Sequence, residues 1–308
     1  QRDGTPAQST EVEFPMTDIQ PVLVTGATGK TGRHTVRFLR KSGLPVRALV
    51  HRYDERSRQL QDLGAEVAVG DLLDLDAMTA ATRGVRSAYF TYPIRPGLIE
   101  ATTVFAQAAA DNGVEAVVNM SQISARREAA SNAARHHWLA ERLLDHYPVP
   151  TTHLRPTFFA EWLLTFGDWS GREGLLRLPM GQGRHAPIAA EDQGRVIAAI
   201  LTDPAPHAGR IYPLHGPQEL DYDEIAAAAA RALERPVRYE PVDIDTFVRT
   251  LQARGWHPHT VQHLRNVVID YQNGIFAGTN NVVRDVGGTE PLSVEAYVAR
   301  HRDAMTAH

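Results

Sequence analysis

The sequence predicts an α/β fold: a doubly wound parallel sheet followed by a smaller, mostly helical region. Three observations carry this expectation. An uncharged and mainly apolar run, Val22-Leu23-Val24-Thr25, leads straight into Gly26, Gly29 and Gly32 and then into an amphipathic run. Short apolar runs and helix-period runs then alternate as far as Pro156, and such alternation builds a parallel sheet with helices on both faces. Beyond Pro156 the rhythm loosens, with Pro and Gly punctuating residues 167–187.

Each element follows in order. The run after the glycines holds Val36, Phe38 and Leu39 among Arg33, Arg37, Arg40 and Lys41, the pattern of a helix with one buried face. Residues 46–50 read as a strand, 58–63 as a short helix, and 66–69 as a strand ending at Gly70-Asp71. Residues 75–82 are expected to be helical, 87–91 a strand, and 98–112 a helix closed by Gly113. A strand is expected at 116–120, a helix at 132–147, and a strand at 151–154 that ends on Arg155-Pro156. An aromatic helix is expected over 158–166, then a helix at 191–202, a strand at 210–214, a helix at 222–233 and a short strand at 237–240. Three further helical stretches complete the chain, the last over 293–306. The later region is expected to pack over the carboxyl edge of the sheet, where open α/β sheets bind ligands. The chain crosses between the two parts more than once.

The glycine-rich stretch carries the clearest chemistry. Gly26 lets the strand turn sharply, Gly29 lets the backbone approach a pyrophosphate, and Gly32 lets the helix lie close to the strand. The free N–H groups at the helix start would face the phosphates. Gly26, Thr28, Gly29, Lys30, Thr31, Gly32 and Arg33 are the candidate nucleotide contacts of this loop. Gly29-Lys30-Thr31 also looks like the end of a nucleotide triphosphatase loop, but the glycine that such a loop needs five residues before its second glycine is Val24 here.

Composition excludes several classes. The chain of 308 residues has a formal net charge of −4, which gives no sign of a nucleic-acid or membrane-surface partner. There is no cysteine, so disulfides, thiolate nucleophiles and cysteine metal sites are ruled out. His257, His259 and His263 invite a metal reading, but with no matched carboxylate nearby they fit a solvated loop and helix start equally well, and no metal is expected. No apolar run reaches membrane-spanning length and no signal-peptide core is seen, so a cytoplasmic protein is the default. Residues 1–15 are expected to be a flexible tail or a remnant of expression, with Met16 a natural start. The only lysines are Lys30 and Lys41, which leaves few places for a catalytic lysine.

The stretch Val24-Thr25-Gly26-Ala27-Thr28-Gly29-Lys30-Thr31-Gly32 resembles the opening of the NmrA-like proteins, an atypical branch of the short-chain dehydrogenases/reductases. Gly70-Asp71-Leu72, Leu154-Arg155-Pro156-Thr157-Phe158-Phe159 and Asp192-Gln193-Gly194-Arg195 strengthen the resemblance, which covers nearly everything after Met16. It implies a Rossmann fold, with residues 16–156 as the nucleotide domain and 157–308 as the smaller substrate region. It points to NADP(H) as cofactor. The family includes quinone and ketone reductases, isoflavone-type reductases and redox-sensing regulators, so the motif does not settle the activity.

NAD-specific folds usually place Asp or Glu at the end of the second strand. Here that strand ends Val50-His51-Arg52. Arg33 and Arg52 could clamp a 2′-phosphate between them, or both could be solvated surface residues. The resemblance puts Asp71 beside the adenine; a helix N-cap is the competing role.

The usual short-chain reductase pairs a proton-donating tyrosine with a lysine one helical turn later, and this chain has no Tyr-x-x-x-Lys. In the corresponding helix, His137 and Glu141 keep the spacing, either as a catalytic pair in which Glu141 orients His137 or raises its pKa, or as an exposed polar pair. By the resemblance, Ser121 and Gln122 after the fifth strand lie near the nicotinamide, and Ser121 or Ser124 could hydrogen-bond a substrate carbonyl. Tyr92 and Pro93 could line the cofactor. Phe158, Phe159 and Trp162 form either core or the wall of a substrate site. The expected function is NADPH-dependent reduction of an aromatic, secondary-metabolite-like ketone or quinone. The proton source stays open between His137, water and the substrate itself. The alternative is a redox sensor that binds NADP(H) without turnover.

Overall fold

Seven parallel strands form the central layer of the computed structural model, which describes residues 19–306. The expected tail at 1–15 and the start at Met16 lie outside the described residues. The strands are β1 (Val22–Val24), β2 (Val46–Val50), β3 (Glu66–Val69), β4 (Ser87–Phe90), β5 (Ala116–Met120) and β6 (Thr151–Pro156). After them come β7 (Gly167–Asp168), β8 (Gly174–Leu178), β9 (Ile211–Leu214) and β10 (Val237–Pro241). The order across the large sheet is β3-β2-β1-β4-β5-β6-β9, and every pair in it is parallel. β1, β4 and β5 are buried along their whole length. Helices cover both faces of a parallel sheet, which explains why its strands carry continuous rather than alternating apolar runs.

Caps and close approaches set the helices. Ser131 accepts the Ala134 N–H at 3.1 Å and starts the helix Asn132–His146. Gly113, at φ +67°, closes the helix Leu98–Asp111. The Asp192-Gln193-Gly194-Arg195 motif proves to be architectural. It lies in the helix Ala190–Thr202, packed against the helix Lys30–Lys41. A Cβ on Gly194 would sit 2.7 Å from the His34 Cβ and 2.9 Å from the Thr35 nitrogen, so only glycine permits this approach. The fully buried Asp192 accepts from Arg195 at 2.9 Å and from the Leu292 N–H at 2.8 Å.

The Arg155 of the Leu154-Arg155-Pro156 motif is architectural too. Its guanidinium forks onto the fully buried Glu141 carboxylate, Nε to Oε1 at 2.8 Å and Nη2 to Oε2 at 2.5 Å. This pair ties the helix Asn132–His146 to β6.

Three expectations need correction. The aromatic run is helical only over Trp162–Phe166. Phe158 and Phe159 are extended because the backbone there pairs with Ile188: the Ile188 N–H donates to the Phe158 carbonyl at 3.1 Å, and the Ala160 N–H to the Ile188 carbonyl at 2.9 Å. The later region carries its own small sheet, β10-β8-β7. Among the described residues, five helices rather than three follow β10: Gly255 and Pro258, then Gly274 and Gly278, then Gly288, with these glycines at positive φ, divide the run, and a last break falls at His301. Residues 190–214 return to the main layer, where β9 is its seventh strand.

Candidate active site

The strand order reverses between β1 and β4, and a crevice opens there at the carboxyl ends of the strands. Thr25 holds its two walls together by accepting the Thr91 N–H at 2.9 Å. Gly26 turns out of β1 at φ +55°, and a Cβ there would stand 2.7 Å from the Thr91 methyl. A Cβ on Gly32 would collide with the Gly26 carbonyl oxygen and approach the Ala27 Cα to 2.9 Å. The first helix therefore rests directly on the loop.

Two compartments fill the crevice. One, a trough of about 480 Å³, is lined by Gly26, Thr28, Gly29, His51, Arg56, Asp71, Thr91 and Pro93 among others. The second, a cleft of about 460 Å³, lies over β4, β5 and β6. Its walls include Lys30, Tyr92, Ser121, Gln122, His137, Phe158, Phe159 and Trp162, together with Trp256, His263 and Phe276 from the later region. Thr91 and Pro93 line both compartments, which makes the crevice continuous. Beside the trough is a basic recess with Arg33, Arg37 and Arg56 on its walls. Phe158 stacks on Trp162 with ring centroids 4.1 Å apart and on Phe276 at 4.2 Å, and Phe166 stacks on Trp256 at 5.7 Å. The cleft also collects buried polar atoms without a hydrogen-bond partner: Ser121 Oγ, Gln122 Nε2, His137 Nδ1 and Thr157 Oγ1.

These residues suit a dinucleotide. The glycine loop leaves a cradle that a Cβ at Gly26 or Gly32 would fill. The trough runs from that cradle to Asp71 on one side and to Ser121's cleft on the other. A family model described as the NmrA-like family matches residues 19–273. The chain belongs to the NmrA-like family. This NmrA-like chain is 28% identical to an NAD(P)H azoreductase of Xenophilus azovorans, over 93% of its own length and 99% of the relative's. It is 29% identical to a (4-alkanoyl-5-oxo-2,5-dihydrofuran-3-yl)methyl phosphate reductase of Streptomyces griseus, over 92% and 99%. Its fold matches a crystal structure of an NADPH-dependent quinone oxidoreductase from Escherichia coli complexed with NADPH, at a TM-score of 0.79 and 20% identity, covering 91% of this chain and 99% of that one.

Against the expectations, the NmrA-like site differs in several places. Thr31 is buried, its hydroxyl directed at Gln193 Oε1 at 3.5 Å. Arg52 is largely exposed, 4.0 Å from Asp54, and lines neither the trough nor the recess. Arg56 lines both; Asp54 holds it through Nη2 at 2.6 Å. Asp71 is on the trough wall and accepts the Leu73 N–H at 3.0 Å, whereas the N-cap of the next helix is Asp74. Ser124 does not line the cleft but donates to the cleft residue Gln122, at Oε1, at 2.7 Å. Tyr92 is buried and donates to the Pro96 carbonyl at 3.0 Å.

The His137–Glu141 pairing is not formed. Arg155 occupies the Glu141 carboxylate, and His137 is buried rather than on an exposed face. Burial dominates the attraction of Glu141 and pushes the imidazole pKa down to about 4. His263 is buried as well, with Nδ1 2.8 Å from the Ser131 hydroxyl, and burial pushes it down to about 3. Among the described residues, no group of three or more His, Asp or Glu side chains is placed to hold a metal, and no helix is long and apolar enough to cross a membrane. Arg56, Trp256 and Phe276 gave no signal in the sequence, Thr157 stood out only as part of a family motif and His263 only as a metal candidate; the fold alone brings residues 256–276 to the cleft.

These depressed histidines set a pH dependence. His137, His185 and His263 titrate in the folded chain at about 4, 3 and 3, below the ordinary 6.5. The unfolded chain binds their protons first, so stability is full above pH ~6.5 and falls as pH drops toward 4. Each contributes a slope of up to about 1.4 kcal/mol per pH unit in that window. Urea unfolding at pH 7.5 and 5.5 should show the loss, with a shallower fall in His137→Phe; equal stability at both pH values would contradict the burial of neutral histidines.

Proposed function

We propose that this chain is an NADPH-dependent reductase of a planar aromatic ketone or quinone. The coarse class is an NAD(P)H-dependent oxidoreductase, as in the azoreductase and furanone phosphate reductase to which it is similar along nearly its whole length. The observation that carries the finer reading is the aromatic-walled cleft continuous at Thr91 and Pro93 with the glycine-loop trough. In this reading Gly26, Thr28 and Gly29 hold the pyrophosphate, Asp71 meets the adenosine, and Arg33 and Arg56 take the 2′-phosphate. Bound NADPH would supply the hydride.

The chain's own residues orient the acceptor and exclude water. Phe158, Trp162 and Phe276 provide flat apolar surface for a ring system, and the Ser121 hydroxyl, without another partner, is available to donate to an acceptor oxygen. His137 is neutral at neutral pH and has little proton to give, so the proton comes from water or from the substrate. His137→Ala should therefore keep kcat within about threefold, against the 10²- to 10⁴-fold loss of a true general acid. A loss of the latter size would restore His137 as donor.

Arg56→Ala should weaken NADPH by about tenfold or more while leaving NADH nearly unchanged, and Arg52→Ala should do little to either. Calorimetric titration of both nucleotides checks this; equal weakening of both by Arg56→Ala would remove it from the 2′-phosphate. The function itself is tested by NADPH oxidation against a panel of quinones and hydroxylated aromatic ketones. Consumption above background is expected with some of them. Tight nucleotide binding with no consumption by any would instead indicate a sensor.

A further inference from the structure

The cleft is apolar apart from neutral polar groups, with one exception. Lys30 is its only lining residue with a formal charge at neutral pH among the described residues: no Asp, Glu or Arg lines it, and burial keeps His137 and His263 neutral. Lys30 opens the helix Lys30–Lys41 directly after Gly29, but it lines the cleft and not the nucleotide trough that its neighbours Thr28 and Gly29 line. Its Nζ donates to Thr165 Oγ1 at 3.2 Å, and among the described residues no carboxylate lies within ion-pairing distance of it. Glu161, whose charge acts on it, uses both carboxylate oxygens to accept the Ala190 N–H, at 3.1 and 3.2 Å. Thr165 lies between Trp162 and Phe166, so the ammonium stands at the edge of the aromatic wall.

An accessible cation without a carboxylate partner is costly to cover with an apolar ligand. Surrounding protein already holds the Lys30 pKa below its ordinary value, desolvation being the largest cause. A neutral aromatic that fills the cleft strips the ammonium of more water and offers nothing in return. An aromatic that carries its own negative charge replaces that water with an ion pair in a water-poor site.

Building on the reading of the cleft as an aromatic acceptor site, we propose that Lys30 is a specificity-determining residue that selects planar aromatic molecules bearing an anionic oxygen group, such as a phenolate, carboxylate or sulfonate. The rings lie against Phe159 and Trp162 while the anion meets Nζ.

The test is calorimetric binding, without turnover, to the full chain saturated with NADP⁺. The probes are naphthalene-2-sulfonate and its neutral isostere naphthalene-2-sulfonamide. The wild-type protein should bind the sulfonate about tenfold tighter or better, the scale of one partly shielded charge contact, and added salt should shrink the difference. Lys30→Met should erase the preference while leaving sulfonamide affinity within about twofold, and Lys30→Arg should keep most of it. NADP⁺ affinity should stay within about threefold in Lys30→Met, because the side chain does not line the trough proposed to hold the pyrophosphate and adenosine. A sulfonate preference that survives Lys30→Met, or its absence in the wild type, overturns the assignment while the aromatic reading stands. A large loss of NADP⁺ affinity with the preference unchanged assigns Lys30 to the nucleotide and also overturns it. Failure of both probes to bind in the millimolar range sinks the aromatic reading and the selection together.

Discussion

Gly32→Val is expected to abolish measurable NADPH binding, a loss of at least about a hundredfold on the scale of a misplaced binding loop. A Cβ at this position meets backbone on one side, the Gly26 carbonyl oxygen and the Ala27 Cα. Neither can move aside as a flexible side chain would. The helix Lys30–Lys41 must lift off the loop, and its N-terminal N–H groups leave the phosphate cradle. The same helix is locked on its other face by Gly194, so the displacement spreads into the helix Ala190–Thr202. The variant should unfold at lower temperature as well. A folded Gly32→Val that binds NADPH as the wild type does would show that the loop is not the nucleotide cradle.

The second large effect is structural. Arg155→Met should destabilise the fold by about 3 kcal/mol, because it leaves the fully buried Glu141 carboxylate with only the Arg142 guanidinium, 3.9 Å away, in place of the bidentate fork. Glu141→Leu should cost less, since the side chain left behind, Arg155, is partly exposed and can reach water. The double variant Arg155→Met/Glu141→Leu should recover much of the loss, as apolar replacements of buried ion pairs commonly do. Denaturant unfolding of the three variants measures this directly. Strictly additive losses would mean that the two side chains do not act as a pair.

That ion pair also shows where the sequence could mislead. Spacing alone put His137 and Glu141 on one helical face, and that is correct geometry for a helix. What spacing cannot show is which of several basic groups a buried carboxylate takes. Arg155 lies on the neighbouring strand and offers a rigid fork, which fits a carboxylate better than a desolvated imidazole does. The proposed preference for Arg56 over Arg52 at the 2′-phosphate has a similar origin. Both follow β2, but Asp54 caps the next helix and draws Arg56 back over the trough while Arg52 points to solvent.

The sheet and its glycine loop were legible because they rest on local patterns: an apolar run, a turn that demands glycine, and a helix with one apolar face. The extended conformation of Phe158 and Phe159 was not, because pairing with Ile188 overrides a helical apolar pattern. The far wall of the cleft was not legible either. Trp256 and Phe276 look like ordinary flanks of an amphipathic helix and His263 like part of a histidine cluster, and only packing against the helix Asn132–His146 and the aromatic cluster brings them to the cleft.

In the proposed function, one continuous crevice holds the nucleotide and an aromatic acceptor side by side. A crystal structure of the ternary complex with NADP⁺ and a naphthoquinone tests it most directly. The pyrophosphate should lie on Gly26–Gly29, the nicotinamide should emerge past Thr91 and Pro93 beside Ser121, and the quinone should lie against Phe159 and Trp162 over the nicotinamide ring. A quinone bound away from these aromatic rings, or a nicotinamide directed out of the cleft, would contradict the account.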